Sequence, residues 1–88
     1  MTLFAEVRHL SSAKAPLVLL HGFGGIGASW APVIARLDPE LPLIVYDLPG
    51  HGHSLDAEGV GHAGVMAKSI LADLDRRGLS FFHLCGHS

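Results

Sequence analysis

An α/β fold with a parallel β-sheet and helices on both faces is predicted by three observations: short, continuously apolar runs of strand length, helix-period stretches between them, and turn residues at the junctions. The apolar runs are Leu17-Val18-Leu19-Leu20, Leu43-Ile44-Val45-Tyr46 and Phe81-Phe82-His83-Leu84-Cys85. Runs without polar alternation belong to strands buried on both faces, as parallel strands are. From Leu17 onward the order is β-α-β-α-β. Right-handed crossovers, first one way and then back, place Leu17 to Leu20 in the middle, Leu43 to Tyr46 on one side and Phe81 to Cys85 on the other, with the two helices on opposite faces.

Upstream, Leu3 to Leu10 reads as a first strand with imperfect alternation, and Ser11-Ser12-Ala13-Lys14 as a turn before Pro16. Trp30, Val33, Ile34 and Leu37 follow i, i+3, i+4, i+7 spacing, with Ser29 available as N-cap and Pro32 tolerable in the first turn. Leu48 to Gly61 is rich enough in Gly, Pro and polar residues to be a loop. In the second helix Ala63, Ala67, Ile70, Leu71 and Leu74 share a face, Lys68, Asp75 and Arg76 point away, Asp73 and Arg77 are i, i+4 partners, and Gly78 provides the stop.

Hydrophobic residues make up 49% of the 88 and charged residues 16%, which excludes a disordered tail and reads as core taken from something larger. A chain of this size buries only roughly 60 to 65% of its unfolded surface, so its core is modest. The net charge of -2, without a basic cluster, gives no footprint for nucleic acid or an anionic membrane. Glu6 and Arg8 interrupt the N-terminal stretch where a signal peptide needs an apolar run, and nothing approaches the ~20 residues of a membrane span. A cytoplasmic protein is expected. The single cysteine, Cys85, has no disulfide partner and, one residue before a glycine turn, is expected to pack as a small apolar residue.

The chemistry is carried by glycine turns after the strands. Gly86-His87-Ser88 matches the first three positions of G-x-S-x-G, a strand-to-helix turn so sharp that small residues must flank the serine it projects. His21-Gly22-Phe23-Gly24-Gly25 follows Leu20, and glycines there let an amide face a substrate oxygen. A preorganised N–H aimed at a developing oxyanion contributes roughly 2.7 to 4 kcal/mol, and the Phe23 amide is the candidate donor. Gly22, Phe23, Gly24 and His87 are the candidate substrate-binding residues, and Phe23 is placed to line an acyl pocket.

Taken together, His21-Gly22-Phe23-Gly24-Gly25, Asp47-Leu48-Pro49-Gly50-His51-Gly52-His53-Ser54 and Leu84-Cys85-Gly86-His87-Ser88 resemble three successive signatures of the α/β-hydrolase family, in family order and spacing. The resemblance implies the N-terminal part of an α/β-hydrolase fold, with residues 1–88 one incomplete domain, Ser88 as nucleophile, Phe23 in the oxyanion hole, and the second oxyanion amide just after Ser88. It implies that the triad's acid and histidine lie beyond Ser88, which keeps Asp47 out of the triad; the Asp47 segment resembles a loop that shapes the fold beside the site.

The expected function is hydrolysis of a small ester, lactone or thioester through an acyl-enzyme at Ser88, with this chain an inactive, self-associating fragment and no cofactor. A non-catalytic binding module remains the alternative. A dinucleotide-binding domain is a further one, since Gly22-x-Gly24-x-x-Gly27 follows a strand and Asp47 ends the next; but a helix starting within those glycines would bury Pro32 in its interior. A metal site at His51, His53, Asp56 and His62 is disfavoured, because Leu55 and Asp56 stand where H-x-H-x-D-H requires Asp and His. These histidines are expected in solvent.

Overall fold

The computed structural model describes residues 3–57 and 60–87. Four strands form one open sheet: β1 (Ala5–Arg8), β2 (Leu17–Leu20), β3 (Leu43–Tyr46) and β4 (His83–Gly86), in the spatial order β1-β3-β2-β4. The central strand β2 runs parallel to both neighbours, Leu17 lying opposite Leu43 on one side and His83 on the other. This is the predicted arrangement of the three apolar runs. The sheet as a whole is mixed, however, because β1 adds to β3 in the antiparallel sense, Ala5 opposite Tyr46.

Side-chain alternation along these strands sends two sets of residues to opposite faces. Val18, Ile44 and Tyr46 face helix α2 (Ala63–Arg76) and are buried with its Ile70 and Leu74. Leu19, Leu43 and Val45 face the other way, covered by Trp30, Ile34 and Leu37. Each helical segment thus closes one side of the sheet.

Several boundaries differ from the sequence expectation. The segment after the glycine loop is a 3₁₀ turn, Gly27–Trp30, followed by a single-turn α1, Ala31–Ile34. Ser29 caps nothing; it lies inside the 3₁₀ turn, its own N–H donating to the Ile26 carbonyl at 3.1 Å. Pro32 does sit in the first turn of α1. Strand β1 is shorter than Leu3 to Leu10 and stops before His9, whose φ is +56°. Strand β4 starts at His83, where its N–H reaches the Pro16 carbonyl at 2.9 Å, leaving Phe81 exposed. Cys85 is also exposed rather than packed. Within the expected loop, Gly52–Ser54 forms a 3₁₀ turn.

Helix α2 is rotated relative to the predicted face: Ile70, Asp73 and Leu74 are buried, while Ala63, Ala67 and Leu71 are exposed. The expected pair is present, Arg77 Nε donating to Asp73 at 2.8 Å, and Gly78 at φ +75° ends the helix. Among the described residues no helix is long and apolar enough to cross a membrane.

Candidate active site

Parallel strands β2, β3 and β4 deliver their C-terminal ends to one edge of the sheet, where the backbone groups beyond the ladder must find other partners. From β2 the chain enters His21, which is buried. Its Nε2 accepts the Leu48 N–H at 2.9 Å, so that nitrogen carries no proton, and Nδ1–H donates to the Gly22 carbonyl at 2.7 Å. A neutral imidazole thereby ties the end of β2 to the loop after β3. His51 makes the return connection: its Nε2 accepts the Gly24 N–H at 2.9 Å and its Nδ1–H faces the Pro49 carbonyl at 3.1 Å.

Asp47 closes the same corner. Its Oδ1 accepts the Gly27 N–H at 2.7 Å and its Oδ2 the His53 N–H at 2.8 Å. Burial alone would raise this carboxyl, but the amides of His53 and Gly27 outweigh it and hold the group below the ordinary carboxylate value. Ser54, fully buried, donates to the Asp47 carbonyl at 2.7 Å and accepts the Phe4 N–H at 2.8 Å, drawing in the segment before β1. With both carboxylate oxygens engaged and the following helix starting well after Gly24, the site lacks the free acid and helix N-terminus that a dinucleotide would use.

In the glycine loop, Gly25 N–H is taken by the Gly22 carbonyl at 2.9 Å and Gly24 N–H by His51. Among the described residues the Phe23 N–H has no hydrogen-bond partner, and its side chain is 81% exposed. Beside this loop β4 leaves the sheet: Gly86 pairs with Leu20, and the His87 N–H donates to the Leu20 carbonyl at 3.1 Å. Ser88 lies outside the described residues.

A cavity of about 210 Å³ opens beside the C-terminal ends of β2 and β4, lined by His21, Gly22, Ser29, Trp30, Val33 and His87. Of the predicted substrate-binding residues it gathers Gly22 and His87; the side chain of Phe23 and Gly24 lie outside its lining. Ser29 and Trp30, read from sequence only as helix residues, form part of the wall. His51, expected in solvent, is half-buried against the rings of His21 and Phe23, at 5.0 and 5.2 Å between centroids. No local pattern announces that contact, because Gly24 and His51 stand 27 positions apart. Among the described residues no three His, Cys, Asp or Glu side chains group as metal ligands.

A family model described as alpha/beta hydrolase fold matches residues 15–88. The dihydrolipoyllysine-residue acetyltransferase component of the acetoin cleaving system of Pseudomonas putida is 42% identical over 73 residues, which are 83% of this chain and 20% of that protein. The pimeloyl-[acyl-carrier protein] methyl ester esterase of Vibrio vulnificus is 60% identical over 38 residues, 43% of this chain and 15% of its own length. Among solved structures, the enol-lactonase from Burkholderia xenovorans LB400 superposes with a TM-score of 0.81 at 28% identity, over 98% of this chain and 34% of that one. The chain therefore spans from 15% to 34% of the length of these proteins.

Proposed function

Because this chain belongs to the α/β-hydrolase fold family, we propose that it is the N-terminal portion of a serine hydrolase domain in which Ser88 attacks a carbonyl carbon and the Phe23 amide receives the oxyanion. The observation that carries this reading is the Phe23 N–H, without a hydrogen-bond partner among the described residues, in the loop beside a cavity lined by Gly22 and His87. An amide held by its neighbours and available to a ligand is what transition-state stabilisation needs, since it costs no reorganisation when charge develops. The turn begun at Gly86-His87 corresponds to the start of the G-x-S-x-G elbow, which assigns the nucleophile to the next position in the sequence. Gly22 and His87 are assigned to its substrate-facing wall, with Phe23 and Gly24 at its rim.

Small esters, lactones and thioesters are the proposed substrate class. Support comes from relatives named as an esterase and an enol-lactonase, and from a cavity sized for a small acyl group. The catalytic histidine and its acid are assigned to the region that follows the nucleophile in the family's chain order, so that the serine has no general base within these 88 residues.

The test compares the 88-residue chain with a longer polypeptide containing it, using a serine-directed fluorophosphonate, peptide mass spectrometry and p-nitrophenyl acetate hydrolysis. The longer form is expected to label at Ser88 and turn over, and the short chain to do neither. Activity of the longer form that survives Ser88→Ala would overturn the assignment; stoichiometric labelling with turnover by the short chain would overturn its inactivity.

A further inference from the structure

We infer that His51 is a positioning residue for the oxyanion loop, accepting the Gly24 amide and so fixing the backbone on which the Phe23 amide is presented. The inference rests on the serine-hydrolase reading and deepens it. Gly24 has φ +87°, and a side chain added there would meet nothing within 4 Å. The conformation is the one taken by the third residue of the turn that the Gly25 N–H closes on the Gly22 carbonyl, and packing does not anchor that turn to the rest of the fold. The hydrogen bond to His51 Nε2, at 2.9 Å, does. Together with the Gly25 N–H on the Gly22 carbonyl at 2.9 Å, it pins the backbone just after Phe23 and leaves the Phe23 amide as a donor of the turn that has no partner among the described residues.

The ring of His51 is itself fixed. Its Nδ1–H faces the Pro49 carbonyl at 3.1 Å, and the His21 ring lies 5.0 Å away, tilted. Phe23 meets it edge-on at 5.2 Å with an interplanar angle of 75°. One side chain from the loop after β3 thus touches the glycine loop twice, through an N–H···N bond to Gly24 and a ring contact to Phe23. Because Nε2 accepts only when it carries no proton, the Pro49 carbonyl selects the tautomer that the latch requires. An acceptor without that second bond would be free to turn its N–H toward Gly24.

Two variants separate the latch from the packing: His51→Phe keeps a ring but removes the acceptor, and His51→Gln keeps an acceptor but removes the ring. In the longer polypeptide His51→Phe is expected to lower kcat by roughly 10- to 100-fold with KM little changed, because a displaced donor loses most of its value. His51→Gln is expected to restore most of that loss. In the 88-residue chain, NMR is expected to show a nitrogen–nitrogen coupling across the bond from Gly24 to His51 Nε2, a readout that does not depend on any variant folding. Full kcat in His51→Phe, no rescue by a folded His51→Gln, or a protonated Nε2 without the coupling would each overturn the inference and leave the hydrolase reading standing. Activity that survives Ser88→Ala would remove that reading and the inference with it.

Discussion

Asp47 joins two loops through one carboxylate, and the glycines around it are there because the oxygens leave no room. A Cβ at Gly27 would come within 2.9 Å of Oδ1, and one at Gly52, where φ is +48°, would fall on the Asp47 carboxylate itself. Gly52→Ala is therefore expected to cost about 3 kcal/mol, adding overpacking to left-handed strain. Gly78→Ala, which shares a positive φ but meets nothing within 4 Å, is expected to cost only about 1 kcal/mol. Urea denaturation of both variants checks this; equal losses would show that the carboxylate is not what excludes a side chain at Gly52. From sequence, Asp47 was legible as a residue that shapes the fold. Its partners were not, because Gly27 lies 20 positions away and nothing local couples the two.

At the scale of the element, helix α2 carries an acid into the core. Asp73 accepts the Tyr46 O–H at 2.6 Å, the Arg77 Nε–H at 2.8 Å and the Arg76 side chain at 2.9 Å. Burial would raise the carboxyl, but Tyr46 and Arg77 outweigh it and hold Asp73 below its usual value. Burial first, and then the hydrogen bond to Asp73 and its charge, push the Tyr46 phenol well above its own. The signs give two limbs. A depressed acid contributes stability that is complete above the unfolded carboxylate value near ~4 and lost as pH falls. A raised phenol contributes stability that is complete below the unfolded value near ~10 and lost as pH rises beyond it. Tyr46→Phe is expected to cost about 1 to 2 kcal/mol near neutrality, to flatten the alkaline limb, and to shrink the acid limb as well, leaving there the part that Arg77 and Arg76 maintain. Thermal melts across the pH range check it, and an unchanged alkaline limb would rule out Tyr46 as its source. The helix itself was legible from its period and its glycine stop. Its rotation was not: the pairing of Asp73 with Arg77 is visible as i, i+4 spacing, but the claim of Tyr46 on the same carboxylate comes from 27 positions upstream and turns Asp73 inward.

The whole molecule has two sheet edges that differ in character. The β1 edge carries Glu6 and Arg8, bonded to each other at 2.8 Å, and charge of this kind discourages strand addition. The β4 edge carries His83, Leu84, Cys85 and Gly86, all exposed, with Leu84 at 61% and nearby Phe81 at 80%. The isolated chain is therefore expected to associate through β4, and Leu84→Lys to reduce that association; sedimentation velocity checks both, and a monomeric wild-type chain at all concentrations would count against an open edge. The strand order was legible because crossover handedness leaves few choices for three apolar runs. The antiparallel seating of β1 was not, since imperfect alternation over four residues carries no direction. That order also bears on synthesis. The central strand β2 is made before either neighbour: Leu17 must wait for Leu43 on one side and for His83 on the other. At ~5–20 residues per second the second wait lasts several seconds, during which the most apolar part of the sheet leaves the ribosome with an open side. The pace of translation between Tyr46 and His83, which no substitution records, thus bears on how many chains reach the finished sheet.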